Sequence, residues 1–215
     1  MPRNLTVSGS GAMIAIGGSR PDLMVTLASW EIPPAELRKL VPYLSHWCFW
    51  STKYFTGKEY APLLKELREK GKNISFYTCE VTMRLDLQKY YLTHPWRALA
   101  YGLDMCNLFQ FLTHLYPTAD WKIASEGNTA LMASGNPVST IRLENLRIGN
   151  TDIKYMAKLA EVLKNSKTKD AGLRAEAEKF LKETPKLVGV DMAHDPAQHV
   201  QAREKAIDLI LQLMK

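Results

Sequence analysis

The sequence contains few cysteines, since Cys48, Cys79 and Cys106 are the only three in 215 residues. An odd number of widely spaced cysteines excludes a disulfide scaffold and offers none of the close pairs that zinc sites use. Each cysteine lies among large apolar residues, where a thiol is typically buried. We therefore interpret all three as buried thiols and expect the reducing environment of the cytoplasm.

Long uncharged apolar runs are absent as well. The most apolar stretch, residues 95–116, is interrupted by Arg97, Asp104, Asn107 and His114, whereas a membrane-spanning helix needs about 20 predominantly apolar residues. The N-terminus lacks the basic start, apolar block and cleavage site of a secretory signal. The sequence therefore predicts that no membrane is among the partners of this protein.

The common catalytic signatures are missing too. The sequence has no Gly-x-Ser-x-Gly elbow, no Walker loop, no His-Glu-x-x-His and no Cys-x-x-Cys. The glycines between Gly9 and Gly18 lack the strand and helix that a dinucleotide-binding loop requires on either side. We expect no cofactor and no metal. These absences exclude the easily recognised enzyme classes rather than enzymes in general.

Positive charge is in excess, with 28 lysines and arginines against 22 aspartates and glutamates and a formal net charge of +6. The cations are concentrated in the first and last thirds of the chain, and tryptophans and tyrosines are interspersed among them. Lysine and arginine neutralise phosphates, while aromatic faces stack bases without a sequence preference. This pattern predicts non-specific binding of RNA or DNA. The predicted binding residues are Lys65, Arg68, Lys72, Arg97, Arg142, Arg147, Lys154, Lys158, Lys164 and Lys167.

The apolar residues of 95–116 cover most of the circumference of a helix, which predicts a buried helix at the centre of the fold. On that helix Arg97, Asp104, Asn107 and His114 would share one side as a polar stripe. Residues 1–22 are rich in glycine and serine and are typical of a flexible or extended arm. We predict a mainly α protein, with a single helical core domain over 23–215, minor β elements and an N-terminal arm over 1–22.

Proline, glycine and capping residues predict helices that begin at Pro34 and Pro196 and a helix that ends at Gly71. Residues 73–92 stay open between strand and helix, with a helix favoured from about residue 80. The remaining predictions are a strand over 22–27, a helix or turn in the aromatic cluster 43–55, a hairpin over 141–148, a helix that begins at Asn150 or Thr151, and a helix over 171–183.

Two further functions, an enzyme and a protein-interaction adaptor, are compatible with the sequence. Carboxylates and imidazoles close together suit metal ligation or proton transfer. A small-molecule or metal-dependent enzyme would have its site at Asp104, Asn107 and His114, or at Asp191, His194 and His199. A helical adaptor would bind its partner protein through residues 200–214.

We favour a non-enzymatic function, that of a self-assembling structural protein that coats RNA or DNA. Viral nucleocapsid and filament coat proteins have this kind of architecture. Copies of the chain would form a homo-oligomer through the arm, residues 1–22, and through the C-terminal helix, whose apolar surface is wider than one stripe. The protein would then be found in the cytoplasm or, if viral, in the virion.

Overall fold

The structure is a computed structural model that describes residues 4–6, 13–15, 24–27, 32–50, 53–78, 86, 88–103, 105–108, 130–133, 136–139 and 141–215. Within these ranges the chain forms seven α-helices, two π-helical turns and eight short strands. The prediction of a mainly α protein with minor β elements is confirmed. Contacts divide the chain into two compact units, Met1–Cys79 with Leu103–Phe109, and Glu80–Gly102 with Gln110–Lys215. This division was not predicted from the sequence.

The first unit contains two sheets. One is an antiparallel pair within the arm, formed by β1 (Asn4–Thr6) and β2 (Met13–Ala15). The other is a parallel sheet of four strands in chain order, which comprises β3 (Met24–Leu27), β4 (His46–Trp50), β5 (Asn73–Thr78) and β6 (Met105–Leu108). The helices of this unit are α1 (Pro34–Arg38), α2 (Lys53–Thr56) and α3 (Ala61–Glu69).

The aromatic cluster 43–55 was predicted as a helix or turn, which is confirmed at Tyr43, in a turn, and at Tyr54 and Phe55, in α2. His46–Trp50 form strand β4 instead. Trp47, Cys48 and Phe49 are consecutive and all buried, as is usual for a parallel strand that is covered on both faces. The strand pairs with β3 on one side and β5 on the other. The prediction failed over His46–Trp50 because a fully buried strand has no alternation of apolar and polar residues, so periodicity cannot separate it from a buried helix.

The second unit is built around a short buried helix, α4 (His94–Ala100). The elements around it are π1 (Gln88–Leu92), α5 (Ile141–Asn165), α6 (Ala171–Lys186), π2 (Leu187–Asp191) and α7 (Pro196–Leu213). The unit also contains the antiparallel strands β7 (Ala130–Ala133) and β8 (Asn136–Ser139). Trp96 of α4 lies in one core cluster with Met156, Leu159 and Leu209.

The predicted single helix over 95–116 is wrong in its length. The buried helix α4 ends at Ala100, and Gly102 has a φ of 62°, a left-handed conformation that stops a helix and that glycine adopts without strain. The chain then forms β6, which pairs with β5. Arg97 and Asn107 therefore do not belong to one helical stripe, while Asp104 and His114 lie outside the described residues.

The hairpin predicted over 141–148 is wrong as well, because these residues are the first turns of α5. The helix begins at Ile141, earlier than the predicted start at Asn150 or Thr151. A glycine before Asn150 suggests a boundary in the sequence, but a Cβ at Gly149 would collide with the backbone oxygen of Leu92 in π1. Gly149 is thus an interior helix position where two backbones approach closely, rather than a helix end.

Several local predictions are confirmed. Helix α1 begins at Pro34, α3 is followed by Gly71 with a φ of 64°, and α7 begins at Pro196 after the cap Asp195. Strand β3 falls within 22–27, and α6 includes the predicted 171–183. Segment 73–92 contains both a strand, β5, and a helical turn, π1, while residues 79–85 and 87 are outside the described part of the chain. Among the helices that the structure describes, none has the length and apolar character needed to cross a bilayer.

Candidate nucleic-acid interface

The predicted binding residues of the first unit lie on and just after α3, on a surface of mixed charge. Lys65 is exposed, and its Nζ atom lies 3.7 Å from Glu69 Oε1. Glu66 lies between two cations, with its Oε1 atom 2.8 Å from Lys70 Nζ and its Oε2 atom 3.3 Å from Arg38 Nε. The hydrogen bond from Lys70 lowers the pKa of Glu66, so this carboxylate stays ionised near neutral pH. Acids interspersed with the bases weaken the attraction of α3 for a polyanion.

Two predicted phosphate ligands, Arg97 and Arg142, are interior residues, each only 8% exposed. The Nη2 atom of Arg97 donates to Lys89 O at 2.7 Å, and its Nε atom donates to Gly189 O at 3.2 Å, which joins π1, α4 and π2. The guanidinium of Arg142 lies over the ring of Tyr91, 5.8 Å from its centroid. Because a phosphate ligand must be reachable from solvent, we leave both residues out of the candidate interface.

The exposed predicted binding residues of α5 fall into two groups, those that form an ion pair and those that do not. Arg147 Nε lies 2.7 Å from Glu144 Oε2, and Lys158 Nζ lies 3.1 Å from Glu161 Oε2. Lys154 is exposed, and the described residues contain no ion pair for it. Like Lys154, Lys164 near the end of α5 is exposed and forms no ion pair with the described part of the chain.

The segment after α5 holds more lysines on an ordered loop. Ser166 Oγ donates to Leu213 O at 3.0 Å and accepts from Thr168 N at 3.2 Å. Arg174 Nη1 donates to Ser166 O at 3.3 Å, and Asp170 caps α6 by accepting from Leu173 N at 2.9 Å. These bonds tie the loop to the end of α7 and to the start of α6.

We define the lysine cluster as Lys164, Lys167, Lys169 and Lys215, all of which are exposed. In the part of the chain that the structure describes, none of the four forms an ion pair. Lys167 and Lys215 border the same cleft, which has a volume of about 550 Å³. The other lining residues are Glu161, Val162, Asn165, Ser166, Thr168, Leu213 and Met214. A cluster of unpaired ammonium groups beside a cleft is suited to binding anions.

The alternative enzyme site comprises Asp191, His194 and His199, each of which contacts a different partner. His194 Nδ1 lies 2.8 Å from Asp86 Oδ2, whereas His199 Nδ1 lies 3.2 Å from Asp152 Oδ2. Asp191 Oδ2 lies 3.9 Å from Lys186 Nζ. The described residues contain no group of three or more histidines, cysteines or acids that could hold a metal ion.

Asp191 also affects the pKa of the neighbouring Tyr101 side chain. Burial raises the pKa of Tyr101; the positive charge of Arg97 opposes this rise, and the negative charge of Asp191 adds to it. Tyr101 therefore remains neutral at physiological pH and offers no ionised group for catalysis. For the other alternative site, only the backbone position of Asn107 on β6 is described.

One polar centre was not predicted from the sequence, namely the carboxylate of Asp152 on α5, which is fully buried. It accepts a hydrogen bond from Arg203 Nη1 at 3.1 Å and lies against His199. The spacing of residues along α5 indicates this burial, because Asp152 is one turn before the buried Met156 and two turns before the buried Leu159, and so lies on the same face of the helix. The group joins α5 to α7 through charge, next to their apolar contacts.

In comparisons with known proteins, the chain matches no family model, no curated protein and no solved structure.

Proposed function

We propose that this protein binds RNA or DNA without sequence preference, and that the lysine cluster is the main contact with the phosphates. The observation that carries the proposal is that Lys164, Lys167, Lys169 and Lys215, all exposed and without an ion pair in the described structure, border or flank one cleft. An unpaired ammonium group gives its full charge to a phosphate, whereas a paired one must first lose its carboxylate.

The composition of the cluster supports binding that is independent of sequence. A lysine ammonium is a compact point charge, without the planar fork with which arginine recognises guanine. Lys154 adds another exposed charge without an ion pair in the described structure, on the same side of α5 as Lys158. A surface of this kind follows the backbone of a strand and makes affinity fall steeply with salt concentration.

Self-assembly is the second part of the proposal, with copies joined through residues 1–22 and through α7. Leu211 on α7 is 56% exposed, and its burial against another copy would be favourable. A chain that binds strands and also associates with itself would coat nucleic acid in the manner of a nucleocapsid or filament coat protein.

The binding test compares two double variants of equal charge change. The cluster variant is Lys164→Glu with Lys167→Glu, and the matched control is Lys179→Glu with Lys182→Glu, two exposed lysines of α6 outside the cluster. Affinity for a fluorescent single-stranded RNA is measured by anisotropy at low and moderate salt. We expect the cluster variant to bind about tenfold more weakly or worse and the control to change much less. Equal losses in both variants, or no loss in either, would reject the lysine cluster as the binding surface.

A small-molecule enzyme or binding protein is a second candidate, favoured by the parallel sheet of the first unit. In open parallel sheets, ligands bind beyond the carboxyl ends of the strands. Asn107 is the penultimate residue of β6 and pairs with Tyr77, the penultimate residue of β5. Its backbone position is therefore close to that edge of the sheet.

Purified protein distinguishes the two candidates. A nucleic-acid-binding protein is expected to retain host nucleic acid, with a high ratio of absorbance at 260 nm to that at 280 nm, which falls after a high-salt wash. A small-molecule enzyme is expected to purify without nucleic acid and to gain thermal stability with one class of small ligand. Loss of that gain in Asn107→Ala would place the ligand at the sheet edge.

A further inference from the structure

We infer that the cleft beside the lysine cluster holds one nucleotide of a single strand, so that the protein prefers single-stranded to double-stranded nucleic acid. The inference rests on the proposed function and adds its substrate class. The cleft has a volume of about 550 Å³, within the range of about 300–1,000 Å³ that is usual for sites of small ligands. It lies between the end of α5 and the end of α7.

The lining of the cleft matches the two chemical parts of a nucleotide. Val162, Leu213 and Met214 provide apolar surface, and extruded bases are held between apolar or aromatic side chains in proteins that bind them. Lys167 and Lys215 provide positive charge at the same cleft, where the phosphate of that nucleotide would be neutralised.

The polar lining residues account for a lack of base preference. Asn165 is exposed, and its side-chain amide forms no hydrogen bond with the described part of the chain. An amide both donates and accepts, and therefore it can bind the polar edge of any base. Thr168 Oγ1 accepts from Asp170 N at 3.3 Å, which holds this hydroxyl at the cleft with its own proton still available to a ligand.

The cleft and a plain basic surface predict opposite preferences. A duplex has the higher charge density, so a lysine surface alone binds duplex at least as well as single strand. A base of a duplex can enter a cleft only after it leaves its stack, at a cost of a few kcal/mol. If the cleft takes a base, the single strand is the better ligand.

The experiment measures the anisotropy of a fluorescent oligothymidylate and of a duplex of the same length, with wild-type protein and two neutral variants. Met214→Ser removes apolar surface from the cleft. Met192→Ser is the matched control, because Met192 is also an exposed methionine but does not line the cleft. We expect wild type and Met192→Ser to bind the single strand about tenfold more tightly than the duplex. In Met214→Ser this ratio should approach one while duplex affinity is unchanged.

Other outcomes identify which claim has failed. Duplex binding that equals or exceeds single-strand binding in wild type overturns the inference and leaves the proposed function intact. The same holds if Met214→Ser keeps the wild-type ratio. If neither probe binds at low salt, both the inference and the proposed function are rejected.

Discussion

Asp152 is a buried carboxylate with a histidine and an arginine as partners, His199 at 3.2 Å and Arg203 at 3.1 Å. Asp152→Ala would leave Arg203 without its anion and both partners without an acceptor. Since Arg203 is only partly buried, we expect the free energy of unfolding to fall by about 2–3 kcal/mol. Urea denaturation followed by circular dichroism measures this loss.

The control for Asp152 is Glu161→Ala on the same helix, where the exposed carboxylate pairs with Lys158. An exposed pair of this kind contributes about 0.5 kcal/mol or less. Equal effects of the two substitutions would show that the buried group is no more important to stability than a surface pair.

Gly149 tests the close approach of α5 to π1. In Gly149→Ala the new methyl group would collide with the backbone oxygen of Leu92. A backbone atom cannot relieve the collision by a change of rotamer, as a side chain can. We expect a loss of about 1–3 kcal/mol in urea denaturation, as is typical of overpacking. In the control, Gly172→Ala on α6, the nearest atom is the side-chain Oδ1 of Asp170 at 3.3 Å, and stability should be unchanged or slightly higher. If Gly149→Ala leaves the free energy of unfolding unchanged, the close approach of the α5 and π1 backbones is contradicted.

Single residues of the candidate site were predictable where exposure follows from local polarity. Lys164 and Lys167 lie in a polar segment at the end of an amphipathic helix, and both are exposed. Arg97 was not predictable in this way, because the carbonyl of Gly189 that it contacts comes from a distant part of the sequence. Charge alone does not reveal whether a guanidinium faces solvent or satisfies buried carbonyls.

Helices and strands differ in how far the local sequence determines where they form. Pro34, Gly71 and the Asp195–Pro196 pair mark helix ends through their own backbone geometry, and the structure places helix ends at all of them. The parallel strands β4 and β5 depend on partners from other parts of the chain, so no short window of sequence specifies them. The mainly helical fold class could therefore be predicted from the sequence, while the order and parallel direction of the strands in the sheet could not.

The cap of α6 tests how much one local signal contributes to an element. Asp170 accepts from Leu173 N at 2.9 Å and satisfies one of the first amide groups of the helix. We expect Asp170→Ala to lower the free energy of unfolding by about 1 kcal/mol. Asp208→Ala on α7, at an exposed position within a helix, is the control and should change it much less. Thermal or urea denaturation compares the two, and equal effects would contradict a capping role.

The division of the whole chain into two units has no marker in the sequence. No linker rich in proline or glycine separates them, because residues 80–102 belong to the second unit and residues 103–109 return to the first. Composition detects a boundary when one flexible segment joins two domains. It does not detect a unit that is assembled from separate segments, since each segment looks like ordinary globular sequence.

Assembly is a property of the whole molecule, and deletion of residues 1–22 tests it. This segment holds the short antiparallel pair of β1 and β2, and a two-stranded hairpin by itself is at best marginally stable in water. Docking on a second copy would supply the surface that such a hairpin needs. We expect the intact chain to show a mass well above the 24.4 kDa of one copy in size-exclusion chromatography with light scattering, and the truncated chain to approach the mass of one copy. Its urea midpoint should change little, because the buried apolar residues that the structure describes in the two units lie at residue 32 or later. A truncated protein that assembles like the intact one, or an intact protein that is already monomeric, would exclude a docking role for residues 1–22.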